Sequence, residues 1–156
     1  MRIIQRPSPS FGMRIEGVSV NLLILHYTGM KSASEALDRL CDQNFDVSAH
    51  YLIDESGRIF CLVDENNRAW HAGVSEFKGR SNCNDFSIGI ELEGCDYVPY
   101  TDAQYHALVQ VTKTLRLYYP LITEDRIVGH CDIAPERKTD PGPAFDWARY
   151  QKELNG

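Results

Sequence analysis

The chain has 156 residues, 43% of them hydrophobic, and a formal net charge of −6 at pH 7. This length suits one hydrophobic core, so we expect a single domain over residues 1–156, and the acidic balance argues against a nucleic-acid partner. No apolar run approaches the length of a membrane span and the N-terminus lacks an apolar signal core. A cytoplasmic protein without membrane contact is therefore expected, unless a leader has been removed, and no obligate protein partner is implied.

The first half of the chain alternates between strand and helix patterns. Residues 21–26, NLLILH, form an apolar run typical of a buried strand that ends on a histidine. A helix is predicted from Ser32, and residues 49–63 predict a hairpin around a Glu-Ser-Gly turn. Residues 86–94, FSIGIELEG, alternate as a strand, with Glu91 on its polar face.

The second half adds two helices and one strand. Thr101 and Gln104 form a capping box that begins an amphipathic helix over residues 101–118. RIVGH, residues 126–130, predicts another strand that ends on a histidine, and residues 144–154 predict a terminal helix. This mixed order favours an α/β (α+β) fold with a central mixed sheet flanked by helices.

The loop GHCDIAPERKTDPGPAFDW, residues 129–147, is polar and is stiffened by three prolines. Ordered loops of this kind more often carry a site than fill a core. His26 and His130 lie at strand ends, and with Asp140 they would supply two nitrogens and one oxygen to zinc, with a fourth position open. The alternative is that both histidines are ordinary hydrogen-bonded residues and that Asp140 caps the Pro-Gly turn.

Four segments carry a resemblance to a known family: SAHYLI, RAWHAG, CNDFSIGIELEG and GHCDIAPERKTDPGPAFDW. Together they resemble the AmpD type of N-acetylmuramoyl-L-alanine amidase, a zinc-dependent branch of the peptidoglycan amidases, from about residue 20 to the C-terminus. The resemblance implies the same mixed sheet and one zinc ion per chain. It places the metal on His26, His130 and Asp140, and the catalytic pair on Glu91 and Lys138.

The chemistry of amide hydrolysis agrees with these implied roles. An amide needs a strong nucleophile, stabilisation of the oxyanion and a proton for the departing nitrogen. Glu91 would transfer the proton and Lys138 would neutralise the oxyanion, beside a zinc ion that activates water. Without the resemblance, both side chains read as exposed surface charges. Glu93, one pleat further along the strand, is the rival to Glu91.

Further residues are assigned to the substrate. By resemblance, Trp70 and His71 line the cleft, the indole as a flat wall for a sugar ring. Asn84 and Asp85 are candidates for positioning the peptide. His50 and His106 are assigned to structure.

The chain departs from the AmpD pattern at two positions. Asp46 and Asn82 stand where that pattern tends to have arginines for the acidic peptide stem, so Arg68 and Arg80 are the candidate substitutes. The segment between His26 and SAHYLI is also shorter than the corresponding segment of AmpD-type enzymes. Looser selection among stem peptides is therefore expected.

The resulting hypothesis is a zinc amidase that cuts between (1,6-anhydro-)N-acetylmuramic acid and the L-alanine of small muropeptides during peptidoglycan recycling. Two alternatives share the fold: a non-catalytic peptidoglycan-binding module, and a lytic amidase that acts on polymeric cell wall. A structural or regulatory protein would have little use for the intact set of ligand and catalytic residues.

Overall fold

A computed structural model describes residues 1–156. It contains ten strands: β1 (Ile3–Gln5), β2 (Phe11–Met13), β3 (Leu22–Tyr27), β4 (Tyr51–Ile53), β5 (Ile59–Cys61), β6 (Asn67–Ala69), β7 (Glu76–Phe77), β8 (Arg80–Ser81), β9 (Ser87–Leu92) and β10 (Ile127–Gly129). Four helices accompany them: α1 (Ala33–Leu40), α2 (Asp102–Tyr118), α3 (His130–Ile133) and α4 (Trp147–Leu154). Two 3₁₀ turns, Cys83–Phe86 and Glu124–Arg126, complete the regular structure.

Six strands form one mixed sheet in the order β1-β5-β4-β9-β3-β10. All neighbours in it run parallel except β4 and β5, which form the predicted antiparallel hairpin. Strands β2 and β6 form a separate antiparallel pair, as do β7 and β8. The predicted class, a central mixed sheet flanked by helices, is confirmed.

The two faces of the sheet pack against different elements. Leu23 and Leu25 of β3 point into the largest core cluster, which contains the buried faces of α2 and α4. Leu22 and Ile24 point the opposite way and pack with Ile133 of α3. Because side chains alternate along a strand, His26 lies on the face of Leu22 and Ile24. The side chain of His26 therefore lies on the face of the sheet that is covered by α3.

Several boundaries differ from the sequence expectation. Helix α4 begins at Trp147 rather than at residue 144, because the Asp146 side chain caps it by accepting a hydrogen bond from Arg149 N at 3.0 Å. His130 begins α3 instead of ending β10. Strands β1 and β2 were not predicted, since segments of three residues carry too little alternation to be recognised. None of the helices combines the length and apolar character needed to cross a membrane.

Candidate active site and metal centre

Strand register brings His26 and Glu91 side by side. Strand β3 is parallel to β9, and His26 is the register partner of Glu91. Strand β10 runs along the other edge of β3 and pairs Gly129 with Leu25, so His130 follows directly beside His26. The carboxyl ends of three parallel strands, β9, β3 and β10, therefore lie next to one another. Ligand sites in open α/β sheets typically lie just beyond such strand ends.

The structure brings the three predicted metal ligands together. His26 Nδ1 lies 3.0 Å from His130 Nδ1 and 3.0 Å from Asp140 Oδ2, and His130 Nδ1 lies 3.2 Å from the same oxygen. All three residues are buried. Ligand bonds of about 2.0–2.1 Å in a tetrahedral site imply ligand separations of roughly 3.3 Å, so this triangle of nitrogen and oxygen donors fits zinc.

The protonation states also suit a metal. Burial lowers the pKa of His26 to about 4, although its hydrogen bond to Asp140 opposes that change. Burial alone would raise the pKa of Asp140, but the adjoining imidazoles of His130 and His26 bring it below its usual range. At neutral pH, His26 is therefore neutral beside an ionised carboxylate. Those are the forms in which these side chains bind zinc.

Glu91 is buried next to this group without compensation. Its side chain is 9% exposed, and Oε2 has no hydrogen-bond partner. Burial raises the pKa of Glu91 well above its ordinary value; the charge of Asp140 adds to the rise and Lys138 opposes it. The alternative of an exposed strand-face carboxylate is wrong for Glu91.

Glu93 has a different task. Its two oxygens accept backbone hydrogen bonds from Ala33 N at 3.0 Å and from Glu55 N at 2.8 Å. The first of these N–H groups begins α1 and the second lies in the turn after β4. The Glu93 carboxylate therefore fastens two backbone segments and is not free for proton transfer.

The buried carboxyl of Glu91 makes the stability of the metal-free protein depend on pH. Because its pKa is raised in the folded state, its contribution is fully present below the unfolded value of about 4.3 and is lost as pH rises through the folded value. In Glu91→Gln the side chain at this position cannot ionise, so no buried negative charge opposes folding. We therefore expect the metal-free variant to have a higher Tm than metal-free wild type at neutral pH, and the same Tm in acid. Thermal melts of both proteins across pH measure this; equal Tm values at neutral pH would contradict it.

Comparison with known proteins supplies the family. The family model for N-acetylmuramoyl-L-alanine amidase matches residues 16–143. The chain belongs to that family. It is 47% identical to 1,6-anhydro-N-acetylmuramyl-L-alanine amidase AmpD of Haemophilus influenzae, over 94% of this chain and 89% of the relative.

Solved structures agree with this assignment. A selenomethionine derivative of AmpD is similar with a TM-score of 0.90 and 44% identity, covering 97% of this chain and 94% of that one. The amidase AmiD from E. coli, in complex with the substrate anhydro-N-acetylmuramic acid-L-Ala-D-gamma-Glu-L-Lys, is similar with a TM-score of 0.79 and 36% identity. That match covers 90% of this chain and 60% of AmiD.

The candidate site opens into a cleft of about 540 Å³. Its walls include the three candidate ligands and Glu91, together with the exposed Lys138 and with Arg39 of α1. Because Lys138 and Asp140 share this cleft, a cation is available beside the buried carboxylates. Arg39 was missed by sequence analysis, since nothing in the α1 pattern indicates which exposed residue faces a cleft.

A second part of the cleft, about 580 Å³, is lined by Trp70, His71 and Asn84, and also by Asp46 and Arg137. Asn84 Oδ1 accepts hydrogen bonds from the backbone N–H groups of His71 and Ala72 at 3.1 and 2.8 Å. This oxygen is therefore occupied with holding the backbone. The half-buried Trp70 borders the cleft as expected for a sugar platform.

The two arginines expected to replace missing stem contacts do not line the cleft. Arg68 is ion-paired with Asp85 at 2.9 Å and stacks over Trp70 at 5.1 Å. Arg80 packs over Phe86 at 4.0 Å. The structure corrects both assignments, because each guanidinium is used by a neighbour in the fold. The cleft cations are instead Arg39, Arg137 and Lys138.

Proposed function

We propose that this amidase hydrolyses the amide bond between (1,6-anhydro-)N-acetylmuramic acid and L-alanine in small muropeptides, as part of peptidoglycan recycling. The observation that carries the proposal is the buried group of His26, His130 and Asp140 beside the unpartnered carboxylate of Glu91. The curated AmpD relatives bear the name of this activity, and AmiD is similar in a complex with an anhydro-muramyl peptide.

Zinc is the cofactor in this proposal, one ion per chain, and His26, His130 and Asp140 would hold it through two imidazole nitrogens and one carboxylate oxygen. Two nitrogens and one oxygen leave one of four positions open, as in catalytic rather than structural sites. The chemistry that zinc supplies, when bound, is Lewis acidity, which favours ionisation of water near neutral pH and polarises a carbonyl.

Glu91 acts as the general base and then as the general acid. Its carboxylate takes a proton from the attacking water, whose oxygen bonds to the lactyl carbonyl carbon. It then gives that proton to the alanine nitrogen as the carbon–nitrogen bond breaks. A raised pKa suits both halves of this exchange, since a base of ordinary acidity would return the proton poorly.

Lys138 neutralises the oxyanion of the tetrahedral intermediate. Lys138 is exposed and lines the cleft that also contains Glu91 and Asp140. Its ammonium therefore stays hydrated in the free enzyme and is available to an oxygen of the bound substrate. A positive charge aimed at developing negative charge stabilises the transition state more than the ground state.

Selection among stem peptides should be loose. Each charge-assisted contact to a stem carboxylate is worth about 1.5–3 kcal/mol. Of the three cleft cations, Arg137 donates to the Ala72 and Val74 carbonyls and Lys138 is assigned to the oxyanion, which leaves Arg39 for the stem. Asp46 adds a negative charge to the cleft wall. Amidation of the stem carboxylates should therefore change kcat/KM only slightly.

The experiment compares four substrates by mass spectrometry: anhydro-muramyl tripeptide, its reducing-sugar form, a stem-amidated analogue and polymeric peptidoglycan. We expect efficient release of the peptide from the first, measurable release from the second and third, and little from the polymer. Preferential cleavage of polymer would favour a lytic amidase, and no cleavage at all would favour a binding module. Placement in the cytoplasm stays a prediction, which cell fractionation would test.

A further inference from the structure

The outer nitrogens of the two candidate ligand histidines end on neighbouring residues. His26 Nε2 lies 2.9 Å from His71 Nδ1, and His130 Nε2 lies 2.9 Å from the carbonyl oxygen of Ala72. A backbone carbonyl only accepts, so His130 carries its ring proton on Nε2 and offers the lone pair of Nδ1 to Asp140's side of the site. The adjacent residues His71 and Ala72 therefore contact the two imidazoles at Nε2, the ring nitrogen on the opposite side from the candidate metal site.

His71 is built into the fold in a way that leaves it one orientation. Its ring is 6% exposed, and its Nε2 lies 3.1 Å from Ser87 Oγ. It lies across β9 at Gly89, where an added Cβ would come within 2.4 Å of the ring. The ring therefore needs a glycine beneath it. His71 also borders both parts of the cleft.

The proton positions follow from the ligand role of His26. If His26 Nδ1 binds the metal, its single ring proton lies on Nε2 and is donated to His71 Nδ1. His71 then carries its own proton on Nε2 and donates it to Ser87 Oγ. The chain of hydrogen bonds is consistent from the metal site to β9, and it leaves His71 no free nitrogen for a metal or a substrate.

We propose that His71 is the positioning residue for His26: it accepts the Nε2 proton, and so fixes the tautomer and the ring orientation that present Nδ1 to zinc. This rests on the proposed metal site. Partners of this kind typically change metal affinity by about 10–100-fold when removed. His71 thereby does for His26 what the Ala72 carbonyl does for His130.

The backbone around His71 supports this role. Asn84 accepts from the N–H groups of His71 and Ala72, and Arg137 Nη2 donates to the carbonyls of Ala72 and Val74, each at 2.9 Å. The segment is thus fixed from two sides. A precisely held segment is what the orientation of a ligand requires.

The test is the zinc affinity of the whole protein, measured by competition with a chelating dye, for wild type, His71→Asn and His71→Gln. The asparagine amide replaces Nδ1, which faces His26, whereas the glutamine amide reaches the position of Nε2, which faces Ser87. We expect Gln to lose about 10–100-fold in affinity and Asn to lose much less. The visible spectrum of the Co²⁺ form should shift in the Gln variant and not in the Asn variant.

Melting of the metal-free proteins separates positioning from folding, because a purely structural role would lower Tm in both variants and leave zinc affinity equal. Equal affinities of Asn and Gln, or a greater loss in Asn, would overturn the role of His71 alone. Failure of the wild-type protein to bind zinc would instead overturn the proposed metal site.

Discussion

Glu91→Ala should reduce turnover of anhydro-muramyl tripeptide by about 100-fold or more, the usual scale for a general acid–base group, while zinc content and fold are retained. The reason is geometric. Glu91 is the buried carboxylate of the cleft that has an oxygen without a partner, and it is the register neighbour of His26. Steady-state kinetics with purified protein, alongside its zinc content, measure the effect.

Glu93→Ala is the matched control, because it removes the carboxylate two residues after Glu91, directly after the end of β9. It loses two backbone hydrogen bonds, to Ala33 N and Glu55 N, and should therefore lower Tm while turnover stays near that of wild type. A large loss of turnover for Glu93→Ala, with little for Glu91→Ala, would show that the base is assigned to the wrong carboxylate.

The elements that position the site follow from local patterns in the sequence. The apolar runs before His26 and His130 predicted two strand ends, and the Thr101–Gln104 capping box is present with both of its hydrogen bonds. Periodicity and caps are local properties, so a single sequence can reveal them. Residue type and spacing alone could not decide that Asp140 reaches the two histidines, because an irregular loop has no period from which its path can be read.

Burial and pairing across the fold were beyond the sequence. Alternation placed Glu91 on the polar face of its strand. The residues that cover this face, His71 and the loop after β10, are separated from Glu91 in the sequence, so alternation could not reveal its burial. The same limit explains Arg68 and Arg80, whose partners Asp85 and Phe86 are set by tertiary packing. Charges that look available in a sequence are often already used in the fold.

Asp140→Ala should remove most of the bound zinc and, with it, nearly all hydrolysis. Three ligands leave no redundancy, and loss of the single carboxylate also leaves His26 and His130 facing each other without a negative charge between them. Glu136→Ala is the matched control, because Glu136 is an exposed carboxylate in the same loop and does not line the cleft. It should keep the wild-type zinc content and turnover.

The most direct measurement titrates zinc into chelator-treated wild type, Asp140→Ala and Glu136→Ala, and follows both bound zinc per chain and release of the peptide from anhydro-muramyl tripeptide. The proposed site predicts that hydrolysis by wild type and Glu136→Ala returns in parallel with zinc and saturates near one ion per chain, whereas Asp140→Ala recovers neither. Full zinc occupancy in Asp140→Ala, or undiminished hydrolysis by the metal-free wild type, would contradict it.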